Sequence, residues 1–123
     1  MPAFSSFVEM PLWKEAVEFA AEMYIFCDKG RLKTDFRMKD QLRAAGSSIS
    51  NNIAEGFDCD SNIEFARFLG IARRSDVEVQ SLLYAALDIK YITPEQFKVC
   101  YEQANKTKAL ISAFKSAMLK KVQ

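Results

Sequence analysis

The chain has 123 residues, half of them hydrophobic and 27% charged, which is a globular composition with a formal net charge of +1. It contains no histidine, so a Ser-His-Asp triad, a Cys-His pair and a His-ligated zinc are all excluded. With 4 Gly and 3 Pro there is little material for a many-turned β fold, and the near-neutral balance gives no overall field of the kind that marks a nucleic-acid binder.

The first eleven residues, MPAFSSFVEMP, lack a basic start followed by an apolar run, and nowhere does an uncharged apolar run reach the ~18 residues a membrane span needs. Neither a signal peptide nor a membrane segment is expected. Cys27, Cys59 and Cys100 are odd in number and fit no Cys-x-x-Cys pattern. Cys27 and Cys100 fall on apolar helix faces as small hydrophobes, while Cys59 falls in a loop. This usage suits a reducing compartment, and a cytoplasmic location is the expectation.

In chain order, helical periodicity predicts four helices, at roughly 10–29, 34–56, 61–90 and 93–120, within one domain spanning 1–123. The first carries two seams side by side: Trp13, Val17, Ala20, Tyr24, Cys27 and Leu12, Ala16, Phe19, Met23, Phe26. Gly30 reads as the residue that ends it in a left-handed turn. The second carries Met38, Leu42, Ala45, Ile49, Asn52 and Gly56. The third opens with Ser61-x-x-Glu64, at capping-box spacing, and carries Phe65, Leu69, Ala72, Val79, Leu83 and Ala86, with Asp76 interrupting. The fourth opens with Thr93-Pro94-Glu95-Gln96 and alternates steps of three and four through Phe97, Cys100, Ala104, Thr107, Ile111, Phe114 and Met118. Spacing near 3.5 with short connections predicts an all-α, antiparallel up-down-up-down four-helix bundle. The doubled seam is wider than one core face requires. It fits either a monomer with some exposed aromatics or, more readily, a subunit interface in a homo-oligomer.

Within the second helix, Ser47-Ser48-Ile49-Ser50-Asn51-Asn52-Ile53-Ala54-Glu55-Gly56 has poor helix propensity. Its small residues permit close helix approach. Asn52, on the seam, is expected to be buried and hydrogen-bonded, fixing packing register, with Glu55 sharing its face. Catalysis by Glu55 is not favoured, since no histidine or second carboxylate accompanies it in the motif.

The order Leu12-Trp13-Lys14-x-Ala16, Gln41-Leu42-Arg43, Asn52-Ile53-Ala54-Glu55-Gly56-Phe57 and Glu64-Phe65-x-x-Phe68-Leu69-x-Ile71-Ala72 resembles the bacterial four-helix bundle protein family. Its members are known from open reading frames within intervening sequences of the large-subunit ribosomal RNA gene. The resemblance runs from about Phe7 to Phe114. It implies an up-down bundle and a homopentameric ring. A similar bundle, the accessory variability protein of diversity-generating retroelements, is a pentamer that engages nucleic acid and a reverse transcriptase. Two positions depart from the family pattern. Ala44 stands where a second arginine is common, weakening a shared basic site, and Ser50 stands where a proline is common, which should leave the helix straighter.

Charge is distributed unevenly. Residues 1–30 and 55–95 are net acidic; residues 31–43 and 96–123 are net basic. Arg31, Lys33, Arg37, Lys39 and Arg43 form the densest cationic cluster and the candidate phosphate-contacting surface. Strict alternation of helix direction puts this cluster and the lysines at 115–121 at opposite poles. Arg73-Arg74 is a separate pair. The sequence reading is a non-enzymatic oligomeric scaffold or adaptor, with no cofactor or metal. The alternative is a protein that binds structured RNA through basic surface on a ring. Its partners would be copies of itself and, in the alternative, RNA or a nucleic-acid-processing protein, with no membrane partner.

Overall fold

Local signals set where each helix begins. In the computed structural model, which describes residues 4–121, Pro11 opens α1 (Pro11–Phe26). Asp35 caps α2 (Phe36–Phe57), its Oδ1 accepting the Met38 amide at 3.1 Å. Ser61 caps α3 (Asn62–Asp88) through the Glu64 amide. Thr93 and Gln96 make a reciprocal capping box on α4 (Pro94–Lys120). Two 3-10 turns, Phe7–Glu9 and Gly30–Lys33, flank α1.

The ends differ from the sequence expectation at two points. α1 stops at Phe26, so Gly30 does not close it; Gly30 instead takes a left-handed φ of 56° at the start of the following turn. α3 closes on a Schellman motif, with Lys90 at φ 62° and the Tyr91 amide bonded to Ala86 O at 2.9 Å.

Contacts run in opposite directions along neighbouring helices. Tyr24 of α1 meets Arg43 of α2, and just past the end of α1 Asp28 meets Lys39. Ser48 meets Ser75 between α2 and α3, Gln80 meets Asn105 and Arg73 meets Ser112 between α3 and α4, and Lys106 meets Glu15 between α4 and α1. Rising numbers on one helix pair with falling numbers on the next, so consecutive helices are antiparallel and the architecture is an all-α four-helix bundle. The α1–α4 seam is the thinnest of the four. α1 has only 16 residues against 27 in α4, so it covers little more than half of its neighbour's length.

The core follows the periodic seams. In α3 and α4 the predicted positions hold without a slip, from Phe65 to Ala86 and from Cys100 to Met118, with Phe97 and Phe114 partly buried at the margin. Of the two seams on α1, Leu12, Ala16, Phe19 and Met23 are buried together with Ala20 and Cys27 of the other, while Trp13 and Val17 are half-buried on the flank and Tyr24 is exposed. Part of the aromatic excess is absorbed by the N-terminal turn, where Phe7 packs edge-on against Trp13 at 5.0 Å.

α2 requires one correction. Ile53, not Asn52, occupies the core position after Ile49, and Asn52 is half-buried beside the seam. The run Leu42, Gly46, Ile49, Ile53, Gly56 keeps the three-four rhythm equally well, and burial favours the isoleucine over an amide that would need partners inside. Gly56 explains the end of the Asn-Ile-Ala-Glu-Gly block. A Cβ there would lie 2.7 Å from Phe68 Cβ and 2.8 Å from Phe65 Cδ1, so α2 and α3 meet too closely for any side chain.

Candidate functional site

The basic cluster lies around the α1–α2 connection, and its five residues divide into two groups. Arg43 donates from Nη2 to Tyr24 O at 2.7 Å, reaches Asp28 at 3.2 Å and stacks over the Tyr24 ring at 4.7 Å. It therefore satisfies a carbonyl in the last turn of α1, an end that otherwise has no basic residue of its own. Lys39 donates to the same Asp28 oxygen at 3.2 Å. The hydrogen bond from Lys39, with the nearby Arg43 charge, holds the Asp28 carboxyl below the usual range. The charges of Lys39 and Arg43 are thus used within the fold.

Arg31, Lys33 and Arg37 are exposed and make no ion pair among the described residues. Arg31 and Arg37 line an open cleft with Thr34, Asp35, Phe36 and Tyr91. Its floor is fixed in place: Asp35 caps α2 with one oxygen and accepts the Tyr91 hydroxyl at 3.0 Å with the other. That bond to a carboxylate raises the Tyr91 pKa. The lysines at 115–121 lie at the far pole, and Arg73 donates to Ser112 at 3.0 Å along the side of the bundle. The basic residues of the chain do not merge into one patch.

Asn52 and Glu55 lie away from this pole, towards the C-terminal end of α2. Asn52 donates to Ser48 O at 2.7 Å and to Ser48 Oγ at 3.0 Å, and Ser48 Oγ meets Ser75 Oγ at 2.8 Å. The amide is satisfied largely by its own helix and links α2 to α3 only through Ser48. Glu55 is exposed on the same shallow polar depression.

A second centre lies in the core. Asp76 is fully buried, and neither carboxylate oxygen has a hydrogen-bond partner; Thr107 on α4 is fully buried with its hydroxyl also unpaired. Burial pushes the Asp76 carboxyl up to about 7, against the pull of Lys108 and Arg73. Lys108 is itself engaged, donating to Gln80 Oε1 at 3.0 Å, while Gln80 donates to Asn105 at 2.7 Å. The sequence signal for this centre is the single polar interruption in the α3 seam. Periodicity marks the break but cannot say whether the side chain is paired. Among the described residues no group of three or more Cys, Asp or Glu comes together as metal ligands would, and no helix is long and apolar enough to cross a membrane.

Comparison with known proteins places this geometry. No curated protein matches the chain. A crystal structure of a protein of unknown function from the S23 ribosomal protein family of Bacteroides thetaiotaomicron superposes with a TM-score of 0.76 at 26% identity, covering 83% of this chain and 95% of that one. The model of the 23S rRNA-intervening sequence protein family matches residues 8–113, which takes in α1, α2, α3, most of α4, both ends of the basic connection and the Asn-Ile-Ala-Glu-Gly block, and the chain belongs to that family.

Proposed function

We propose that this chain acts as a non-enzymatic scaffold or adaptor that works as a homo-oligomer, with a pentameric ring the assembly its family resemblance suggests. The observation that carries this reading is apolar surface along the thin α1–α4 seam. Ile25 and Val99 are 63% and 66% exposed and line two adjoining depressions that share Phe26, Lys29 and Cys100, with Glu22 and Glu95 also in their lining. Covering side chains of this size contributes up to ~1.5–3 kcal/mol each, which favours association. The three free cysteines suit a reducing, cytoplasmic setting.

Sedimentation at low micromolar concentration tests the reading. The expected result is one species several times the 14.0 kDa monomer, reduced in mass by Val99→Glu or Ile25→Glu. A wild-type monomer at that concentration overturns it.

A second reading, nucleic-acid binding, is favoured by one observation: Arg31, Lys33 and Arg37 stand at one pole free of internal ion pairs. Repetition of such a pole around a ring would multiply weak phosphate contacts. Binding to RNA should fall steeply with salt and be lost in the Arg31→Glu, Arg37→Glu double variant. Absence of wild-type binding at ~50 mM salt, where such contacts are strong, removes this reading.

A further inference from the structure

Phe36 is the first residue of α2 and, at 68%, has the highest exposure of the large hydrophobic residues that face solvent among the described residues. An aromatic ring left in water at a helix start contributes nothing to the core. Its surroundings carry more positive than negative charge, the one carboxylate, Asp35, being engaged by the Met38 amide and the Tyr91 hydroxyl. Lys39 Nζ lies 5.7 Å from the ring centroid, and Arg31 and Arg37 share its cleft. The cleft is preorganised, since the Asp35–Tyr91 hydrogen bond and the Asp35 cap hold the connection and the α2 start in one arrangement.

We propose that Phe36 is a stacking platform for an unpaired base, with Arg31, Lys33 and Arg37 contacting the phosphates on either side, so that the nucleic acid taken at this pole is single-stranded. The proposal rests on the nucleic-acid reading above and narrows it from structured RNA to unpaired nucleotides. A flat apolar ring framed by cations matches the alternation of base and phosphate along a strand. A duplex cannot use the ring, because its bases are already stacked and an A-form helix offers side chains little access to them. Charge complementarity also decides the occupant. Phe36 has two guanidinium neighbours, Arg31 and Arg37, unpaired among the described residues, where a protein hot spot would have further apolar ones.

The test uses the full chain with a fluorescein-labelled 20-nucleotide uridine RNA, a 20-base-pair RNA duplex and uridine monophosphate, read by anisotropy and by competition. The expected result is salt-sensitive binding of the single strand, tighter than the duplex and far tighter than the mononucleotide. Phe36→Ala should weaken it at least about five-fold, as loss of one stacked base does. Phe36→Trp should restore it, with indole fluorescence quenched on binding. Thermal unfolding of each variant should match wild type, since the ring is exposed.

Equal binding by wild type and Phe36→Ala, with the Arg31→Glu, Arg37→Glu variant inactive, overturns the stacking platform and leaves phosphate contact intact. Equal or tighter binding of the duplex overturns the single-strand assignment, and equal binding of uridine monophosphate overturns the strand. Failure of wild type to bind any of the three at ~50 mM salt overturns the proposal together with the reading beneath it.

Discussion

Asp76 and the Arg31–Arg37 pole both hold ionisable side chains that no ion pair among the described residues neutralises, one in the middle of the bundle and the other at its end. Solvent makes them opposites. At the pole, water screens each guanidinium, so an unpaired charge costs the fold almost nothing and remains available to a ligand. In the core, an unpaired carboxylate has lost its hydration without replacement, and the cheaper response is to take up a proton. An unpartnered charge is therefore a potential binding group where it is wet and a stability defect where it is dry.

The largest expected effect comes from removing the defect. The Asp76 carboxyl titrates at about 7 when folded against an ordinary 3.8, so between these values the folded state holds more protons than the unfolded one. Stability is then greatest below the lower value, falls as pH rises through the interval, and levels off above about 7. Asp76→Leu should remove that slope and raise stability at pH 8 by about 2–4 kcal/mol, the scale of a shift of several pKa units. Asp76→Asn, closer in shape, should also flatten the slope. Urea unfolding from pH 5 to pH 8 checks both. Asp28 and Glu9, whose carboxyls are held low, lose their contributions only at more acid pH, and Cys27 and Cys100, raised to about 11, ionise above the range. A wild-type profile flat across the interval would mean that Asp76 has a partner after all.

A packing change with no charge in it provides the control. Gly56→Ala places a methyl within 3 Å of Phe65 and Phe68. Alanine adds helix propensity of about 1 kcal/mol, but overpacking costs about 1–3 kcal/mol and should win, for a net loss of about 1–2 kcal/mol. Gly56→Val should lose more. Unlike the Asp76 effect, this loss should be the same at pH 5 and pH 8. A pH-dependent loss would tie the α2–α3 contact to the Asp76 titration and blur the distinction between the two.

What could be read from the chain alone divides along the same line. The α3 and α4 seams, the Thr93–Gln96 cap and the Ser61 cap were legible because each depends on neighbours three or four residues away. The four-helix bundle follows from them. Asn52 and Ile53 lie on two seams one residue apart that fit the period equally, and burial, which favours the isoleucine over the amide, decides between them. The division of the basic cluster was not legible either. Arg37 and Arg43 look alike in sequence, and the difference is that α1 stops short enough to leave Tyr24 O and Asp28 within reach of Arg43. The isolation of Asp76 depends on Lys108 being engaged by Gln80, a long-range choice that no local pattern encodes.

That division yields the smallest and most discriminating test. If cations at this pole fall into a structural pair and a free set, truncation should separate them. Arg43→Ala removes a charge-assisted bond to a helix-end carbonyl and a contact over Tyr24, and it leaves Arg43's partner Asp28 to Lys39 alone. A loss of about 1.5 kcal/mol is expected, the lower end of the worth of a hydrogen bond to a charged group, since Asp28 is exposed. Arg37→Ala touches no partner and should change stability by less than about 0.5 kcal/mol. In RNA binding the order should reverse: Arg37→Ala lowers affinity and flattens the salt dependence, while Arg43→Ala leaves both near wild type once the protein is folded. Both variants belong in the same two assays, chemical unfolding and a salt titration of binding. If Arg37 proves the more important for stability, the charges at the pole are not free, and the contrast with Asp76 fails at its exposed end.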